Sequence, residues 1–439
     1  MSPTRFARGR WAGALVRNTI WLAGGRVTGQ LMSVALTVVL ARGLGTAGFG
    51  QYAFVGAIVV IGNVVTTFGT ESLLVREIAG GRGDPARLLA TALWLQLALS
   101  AGFVLLILAG AGWLPNRTAE VISALRIFVL SLFPLAFTGV FSAALRGWER
   151  LDLAAIFGVG TAALQTVAAL LAVRAGAQLP ALMFWLLIAH AVTCGLGWYL
   201  CRVARPGFRL PASAAPGALI ALFKRVWPFA LLAGLTIFSQ RIGVLLLGLL
   251  AGDAPAGWFA AAARVVEGLK LTHYAFLGAL LPLASRLGAE GGAEGRHEAN
   301  EWLAGLVRKS RLVLMGLAVA AAVTATALAV PVVGLLYGGT YHPTVTALRI
   351  LAWAMLPYAA AAPTALALIS TGHERVVLWG GALAVIVTAG LGVWLIPKSG
   401  VNGACVAVLA GEVARSAILL LAAGRTATPR FGPDAAAWE

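Results

Sequence analysis

Seven basic side chains fall inside stretches otherwise apolar enough to cross a bilayer: Arg26, Arg126, Arg241, Arg264, Lys270, Arg349 and Arg415. A charge at that depth costs about 2.5–3.5 kcal/mol on insertion scales, so it must face protein or water and is a functional candidate by default. The chemistry open to clustered cations is the holding of an anion. Guanidinium groups grip phosphate oxygens through paired hydrogen bonds, and an ammonium acts as a point charge. Three of the seven have simpler uses. Arg126 and Arg349 lie near span ends, where a long side chain can snorkel to the interface. Arg415 follows Glu412 by three residues, the spacing of an ion pair along one helix. Arg26, Arg241, Arg264 and Lys270 remain, with one carboxylate, Glu267, three residues from both Arg264 and Lys270. The Glu267 triplet reads either as a self-neutralised ladder or as part of an unbalanced cationic site. Four cations against one carboxylate suit an anionic headgroup such as a diphosphate. Glu267 could instead carry a coupling H⁺ or Na⁺.

Polar neighbours extend the candidate site. Arg26, Gln30, Ser33 and Thr37 are spaced 4, 3 and 4 apart, which places them on one helix face and predicts that this face looks at something wet. Asn63, Thr66, Thr67 and Thr70 form a similar run, and Thr236 and Gln240 accompany Arg241. The substrate-binding set expected from the residues is therefore Arg26, Gln30, Arg241, Arg264 and Lys270, with Glu267 as the ion-coupling candidate. Other residues read as structural. His190 lies in an apolar span and is expected to pack. Cys194, Cys201 and Cys405 sit in apolar spans without metal-ligand spacing, so buried free thiols are expected. Gly43, Gly45 and Gly48 spell the glycine pattern of a nucleotide fingerprint, but that motif needs a strand before it and a helix after. Here it falls between two apolar segments, where a tight turn needing positive φ or close approach is the better reading. No catalytic constellation, metal-ligand set or cofactor motif is expected.

The elements that must carry these residues follow from composition. The chain has 439 residues, 60% apolar and 11% charged, against the roughly 25% charged of a soluble domain. Lipid must be the solvent for much of its surface. Segments near 18–40, 51–72, 88–112, 122–145, 153–173, 178–201, 226–250, 257–284, 312–336, 345–370, 376–396 and 401–423 are each long enough to span as helices. With the N-terminus placed in the cytoplasm, cytoplasmic segments hold 22 Lys/Arg, and outer loops hold only Arg42, Arg117, Arg174 and Lys398. This is a strong positive-inside pattern and puts both termini in the cytoplasm. The net charge of +17 is scattered singly among apolar segments, which excludes a nucleic-acid-binding domain. The longest hydrophilic stretches are 202–225 and 286–311. The second reads as an amphipathic surface helix, and 426–439 as a disordered cytoplasmic tail.

The two halves resemble each other. At an offset of 207, Gly45, Ala47, Gly50, Ala53 and Val59 meet Gly252, Ala254, Gly257, Ala260 and Val266, with Tyr52 opposite Phe259. At an offset of 223, Ala124–Ile127 meets Ala347–Ile350 and Pro134 falls on Pro357. A two-residue slip then pairs Glu149–Arg150 with Glu374–Arg375, pairs expected to stabilise the inner ends of the halves. Six spans per half is an even number, so the repeat is parallel about an axis along the membrane normal. The fold class is thus all-α, a transmembrane bundle of about twelve spans in two six-helix lobes, residues 1–210 and 211–425.

An Asn-bearing first helix, then Leu40–Phe54 (LARGLGTAGFGQYAF) and Leu145–Asp152 (LRGWERLD), resemble the polysaccharide and O-antigen flippases of the multidrug/oligosaccharidyl-lipid/polysaccharide exporter superfamily. The resemblance implies a V of two lobes, with a cavity lined mainly by the first, second, seventh and eighth helices. It also implies alternating-access transport of an undecaprenyl-diphosphate-linked glycan to the outer leaflet of a bacterial inner membrane. The expected partners are that anionic lipid-linked glycan, membrane lipids and other polysaccharide-assembly membrane proteins, with no nucleic acid and no enzymatic step. A multidrug extruder is the alternative within the superfamily, disfavoured by scarce carboxylates. A membrane glycan polymerase or ligase is the alternative outside it, disfavoured by short, acid-poor outer loops.

Overall fold

The protein is described by a computed structural model over residues 4–81, 84–115, 117–211, 213, 215–274, 276–277, 296–370 and 373–425; side chains are described for most of these, Arg26 among the exceptions. The described residues form helices joined by short turns, as chains in lipid must to satisfy their own backbone groups. In chain order they are α1 (Thr4–Thr67), α2 (Thr70–Ala79), α3 (Pro85–Gly110), α4 (Ala119–Phe128), α5 (Leu132–Gly147), α6 (Leu151–Arg174) and α7 (Leu179–Ala204). There follow α8 (Pro216–Leu250), α9 (Asp253–Leu269), α10 (Arg296–Ala327), α11 (Ala329–Tyr337), α12 (Pro343–Trp353), α13 (Met355–Ser370) and α14 (Glu374–Arg425).

Among the described residues, nine helical stretches are long and apolar enough to cross a membrane. Two of them, Val27–Thr67 and Glu374–Ala423, run 41 and 50 residues. At about 1.5 Å per residue each has the length for two crossings of a roughly 30 Å hydrocarbon layer. Each bends once, at Gly45 and at Gly400. With α9, this accounts for the twelve segments predicted. The surface helix predicted over 286–311 is helical from Arg296 and runs straight on into the ninth span as α10, while 278–295 and the tail 426–439 lie outside the described residues.

Chain contacts divide the protein into two units. The first comprises Met1–Leu44 and Val55–Gly234, the second Gly45–Phe54 and Leu235–Glu439. The ten-residue excursion in α1 starts at the Gly45 bend, and the second crossover falls within α8 at Gly234.

Within the first unit, Leu74, Leu89, Val140, Phe141, Leu145, Leu200 and Cys201 form the core. Helices come close through small residues, because lipid tails are as apolar as the helices and supply little force to join them. A methyl at Gly147 would meet the Ile78 side chain, and one at Gly197 would meet Phe141 and Phe157. Aromatic rings close the end of this unit: Trp148 and Trp198 both pack on Phe208, and Arg205 lies over Trp148. Glu77 is buried and accepts a 2.6 Å bond from Arg225, beside the stacked rings of Phe68 and Phe223. The second unit packs largely on alanine: Ala322, Ala325 and Ala352 in one cluster, Ala361 with Leu368 and Leu419 in another.

The repeat is visible in the backbone. Gly45 (φ 69°, ψ −176°) and Gly252 (φ 96°, ψ −175°) share a conformation that is essentially glycine-only, 207 residues apart. Offset by 223, α5 and α13 begin at Leu132 and Met355 and end at Gly147 and Ser370, and α6 and α14 begin at Leu151 and Glu374. Both α5 and α13 follow a break in the preceding helix, two residues ahead of Pro134 and Pro357. A proline ring there clashes with the carbonyl four residues back, so the regular helix cannot run through.

Three expectations are corrected. The stripe through Thr37 does not end on a wet face: Thr37 is buried and its hydroxyl donates to the Ser33 carbonyl. In the second run, Thr66 and Thr67 donate to Asn63 O, Thr70 to Thr67 O, and Gln96 Nε2 to the Thr70 hydroxyl at 2.6 Å. Hydroxyls in an apolar helix close on its own carbonyls because an unpaired one is costly there. The Glu149–Arg150 pair is also replaced: Arg150 forms a two-pronged bond to Asp152, at 3.0 and 2.9 Å, while Glu149 is exposed in a left-handed turn.

Candidate functional site

The second unit brings most of the candidate cations together. Arg241 comes from α8, and Arg264 and Glu267 from α9. Glu267 offers one oxygen to each arginine: Arg241 Nη1 lies 3.3 Å from Oε1, and Arg264 Nη1 lies 2.9 Å from Oε2. All three side chains are 24–30% exposed, so the bridge is shielded yet reachable. Gln240 and Thr236 are exposed one turn apart on the same helix. Tyr52, also of this unit, is half-buried and lies within electrostatic reach of both arginines.

Lys270 follows the last turn of α9 and does not join the ladder that its spacing allowed as one of two readings. Its ammonium lies 5.0 Å from the ring centroid of Tyr358 in α13, within cation–π range. Among the described residues no carboxylate reaches it. α8 places Arg241 against Glu267, so each carboxylate oxygen already faces a guanidinium. Arg415 pairs with Glu412 at 2.9 Å, as expected, but its guanidinium also lies 5.4 Å from that same Tyr358 ring. Tyr274 and buried His273 approach the ring edge-on at 6.2 and 6.3 Å.

Gln30 is half-buried in the first unit, and the Arg26 side chain lies outside the described residues. Arg349 donates to Thr326 O at 3.3 Å, consistent with snorkelling near a helix end. His190 is buried against Phe128, as a packing residue would be. Cys201 and Cys405 are buried free thiols, and Cys194 is half-buried. Of the three glycines in the fingerprint-like motif, Gly45 has the positive φ and Gly43 the close approach, to Val173.

Tyr358 and Arg415 were not singled out by sequence reasoning as parts of this site. A signal existed in the repeat. Arg264, Glu267 and Lys270 stand where the first copy has Ala57, Val60 and Asn63, and Tyr358 stands where it has Leu135. The charges therefore belong to one copy alone, which the shared fold does not require.

The model of a family described as polysaccharide biosynthesis protein matches residues 15–288. No curated protein is matched. Among solved structures, an inward-facing multidrug resistance MATE family transporter of the MOP superfamily superposes with a TM-score of 0.73 at 16% identity, over 91% of this chain and 94% of that one. The lipid II flippase MurJ in an inward closed conformation gives 0.69 at 11% identity, over 92% and 87%. A MOP superfamily transporter from Pyrococcus furiosus Vc1, described by the reverse polarity of its binding pocket, gives 0.66 at 16% identity, over 94% and 95%. These likenesses establish the fold as the two-lobed, all-helical one of such transporters. The matched family model covers more than half of the sequence, and on that ground the chain belongs to the polysaccharide biosynthesis protein family as a multi-pass membrane protein.

Proposed function

We propose that the chain is a flippase moving a polyprenyl-diphosphate-linked oligosaccharide from the cytoplasmic to the outer leaflet of a bacterial inner membrane. It would do so by alternating access of lobes 1–210 and 211–425, with both termini cytoplasmic. The observation that carries the reading is a charge surplus: Arg241 and Arg264 share one carboxylate, Glu267, and Lys270, at the end of the same helix as Glu267, meets none among the described residues. A diphosphate removed from bulk water needs its charge compensated, and charge-assisted hydrogen bonds from guanidinium groups do this well. Transport also requires release. Two arginines sharing one carboxylate can return to it when the phosphate leaves, so Glu267 acts as a reversible stand-in for the anion. Membership of a polysaccharide family and a fold neighbour named as a lipid II flippase support a lipid-linked glycan as the cargo. A cationic drug would instead meet a site of its own sign.

The test is export of surface polysaccharide in cells that depend on this protein, with membrane abundance as the control. Arg241→Ala, Arg264→Ala and Lys270→Ala combined should abolish export while the protein remains abundant. Normal export from the abundant triple variant would overturn the assignment. Alanine at Arg349, which bonds a backbone carbonyl instead, should do less harm.

A further inference from the structure

Lys270 differs from its neighbours in being held by a ring and not by a carboxylate. Arg241 and Arg264 are tied to Glu267 and Arg415 to Glu412, whereas Lys270 has the Tyr358 face as its partner among the described residues. The same ring seats Arg415, so two cations of like sign are drawn toward one aromatic quadrupole. Glu412 neutralises Arg415, which leaves Lys270 as the uncompensated charge at the Tyr358 ring among the described residues.

We propose that Tyr358 is a positioning residue that stores Lys270 in a charged, poised state for the anionic group of the cargo; this rests on the flippase reading. The argument is one of graded strength. A ring face attracts an ammonium without forming a directional bond, and more strongly away from water. A carboxylate would hold it harder and compete with a phosphate; an apolar wall would leave the charge uncompensated and costly. An aromatic seat lies between these extremes. A phosphate oxygen can take Lys270 by a charge-assisted hydrogen bond, and the ring can take it back after release. Tyr274 and His273, edge-on to Tyr358, and the Arg415–Glu412 pair restrict where the ring can go. Sequence position supports a dedicated role: 264, 267, 270 and 274 recur at helical spacing on one face, so Lys270 continues the line of the Glu267 bridge toward Tyr358.

The experiment measures thermal stabilisation of the purified protein by geranylgeranyl diphosphate, with geranylgeraniol as the uncharged control. Wild type should be stabilised by the diphosphate well beyond the alcohol; equal effects would refute the flippase reading itself. Given that preference, Lys270→Ala should weaken apparent diphosphate affinity about tenfold. Tyr358→Leu should weaken it about three- to tenfold, while Tyr358→Phe, which keeps the ring, should stay within about twofold. If the leucine variant is too unstable to assay, Tyr358→Met replaces it at similar volume. In a Lys270→Ala background the Tyr358→Leu change should cost no further affinity, because the two act through one charge. Undiminished affinity in Tyr358→Leu would overturn the positioning role. So would an equal loss in Tyr358→Phe, or a loss that persists when Lys270 is absent.

Discussion

Gly50 and Gly257 are mates in the 207-residue repeat and face each other where residues 45–54 cross α9. A Cβ built at Gly50 would overlap the Asp253 carbonyl oxygen and lie 2.9 Å from the Gly257 nitrogen. One built at Gly257 would overlap the Thr46 carbonyl oxygen and lie 3.2 Å from the Gly50 nitrogen. Thr46 and Asp253 are themselves repeat mates, so the contact is reciprocal. Every obstacle is backbone, which cannot rotate aside, and ordinary carbon contacts need about 3.5–4.0 Å. Either alanine must therefore push the helices apart by roughly 1 Å or more, an overpacking that costs about 1–3 kcal/mol. The separation also weakens the approach of the Gly50 and Gly257 Cα–H groups to the Asp253 and Thr46 carbonyl oxygens, contacts worth about 0.5–1 kcal/mol each. Against this, Gly→Ala in an unobstructed helix gains about 0.8–1 kcal/mol. Gly56→Ala supplies that control, since its Cβ would meet nothing within 4 Å. Thermal unfolding of purified protein followed by tryptophan fluorescence should show Gly50→Ala and Gly257→Ala each lowering the midpoint, by about 2–4 °C per kcal/mol for a unit of this size. Gly56→Ala should leave it unchanged or raise it. The double variant should fall by less than the sum of the singles, because helices already separated admit the second methyl more easily. Stabilisation by either single change, or strict additivity, would refute the reciprocal crossing.

Two further outcomes are expected. Arg225→Ala should destabilise more than Glu77→Ala, by about 1–2 kcal/mol, because it strands a buried carboxylate while the reverse leaves a half-exposed guanidinium; equal midpoints in thermal unfolding would contradict this. Single cysteines at Arg82 and Arg296 should resist an impermeant thiol reagent in intact cells, and one at Arg117 should react, as the positive-inside pattern requires; the opposite labelling would invert the proposed topology.

The sequence by itself determined the solvent, the span count and the repeat. Charge-poor segments of bilayer length can only be helices in lipid, so composition sufficed to read the twelve crossings. Identical residue types at fixed offsets sufficed to read the duplication. It also located Arg241, Arg264, Lys270 and Glu267, because an ionisable residue among apolar ones is conspicuous at any resolution. Only the tertiary structure decided who pairs with whom. Spacing along α9 allowed Glu267 to serve Arg264, Lys270 or both; in the structure it serves Arg264 and Arg241, the latter from another helix, and Lys270 turns to Tyr358. Spacing likewise gave Arg415 to Glu412 but could not place Tyr358 beside it, since that ring comes from a helix 57 positions earlier in the chain. The threonine runs failed as markers of a wet face for a related reason. A helical period reports which residues share a side, and a hydroxyl on that side can satisfy itself on the carbonyl one turn back without meeting water at all.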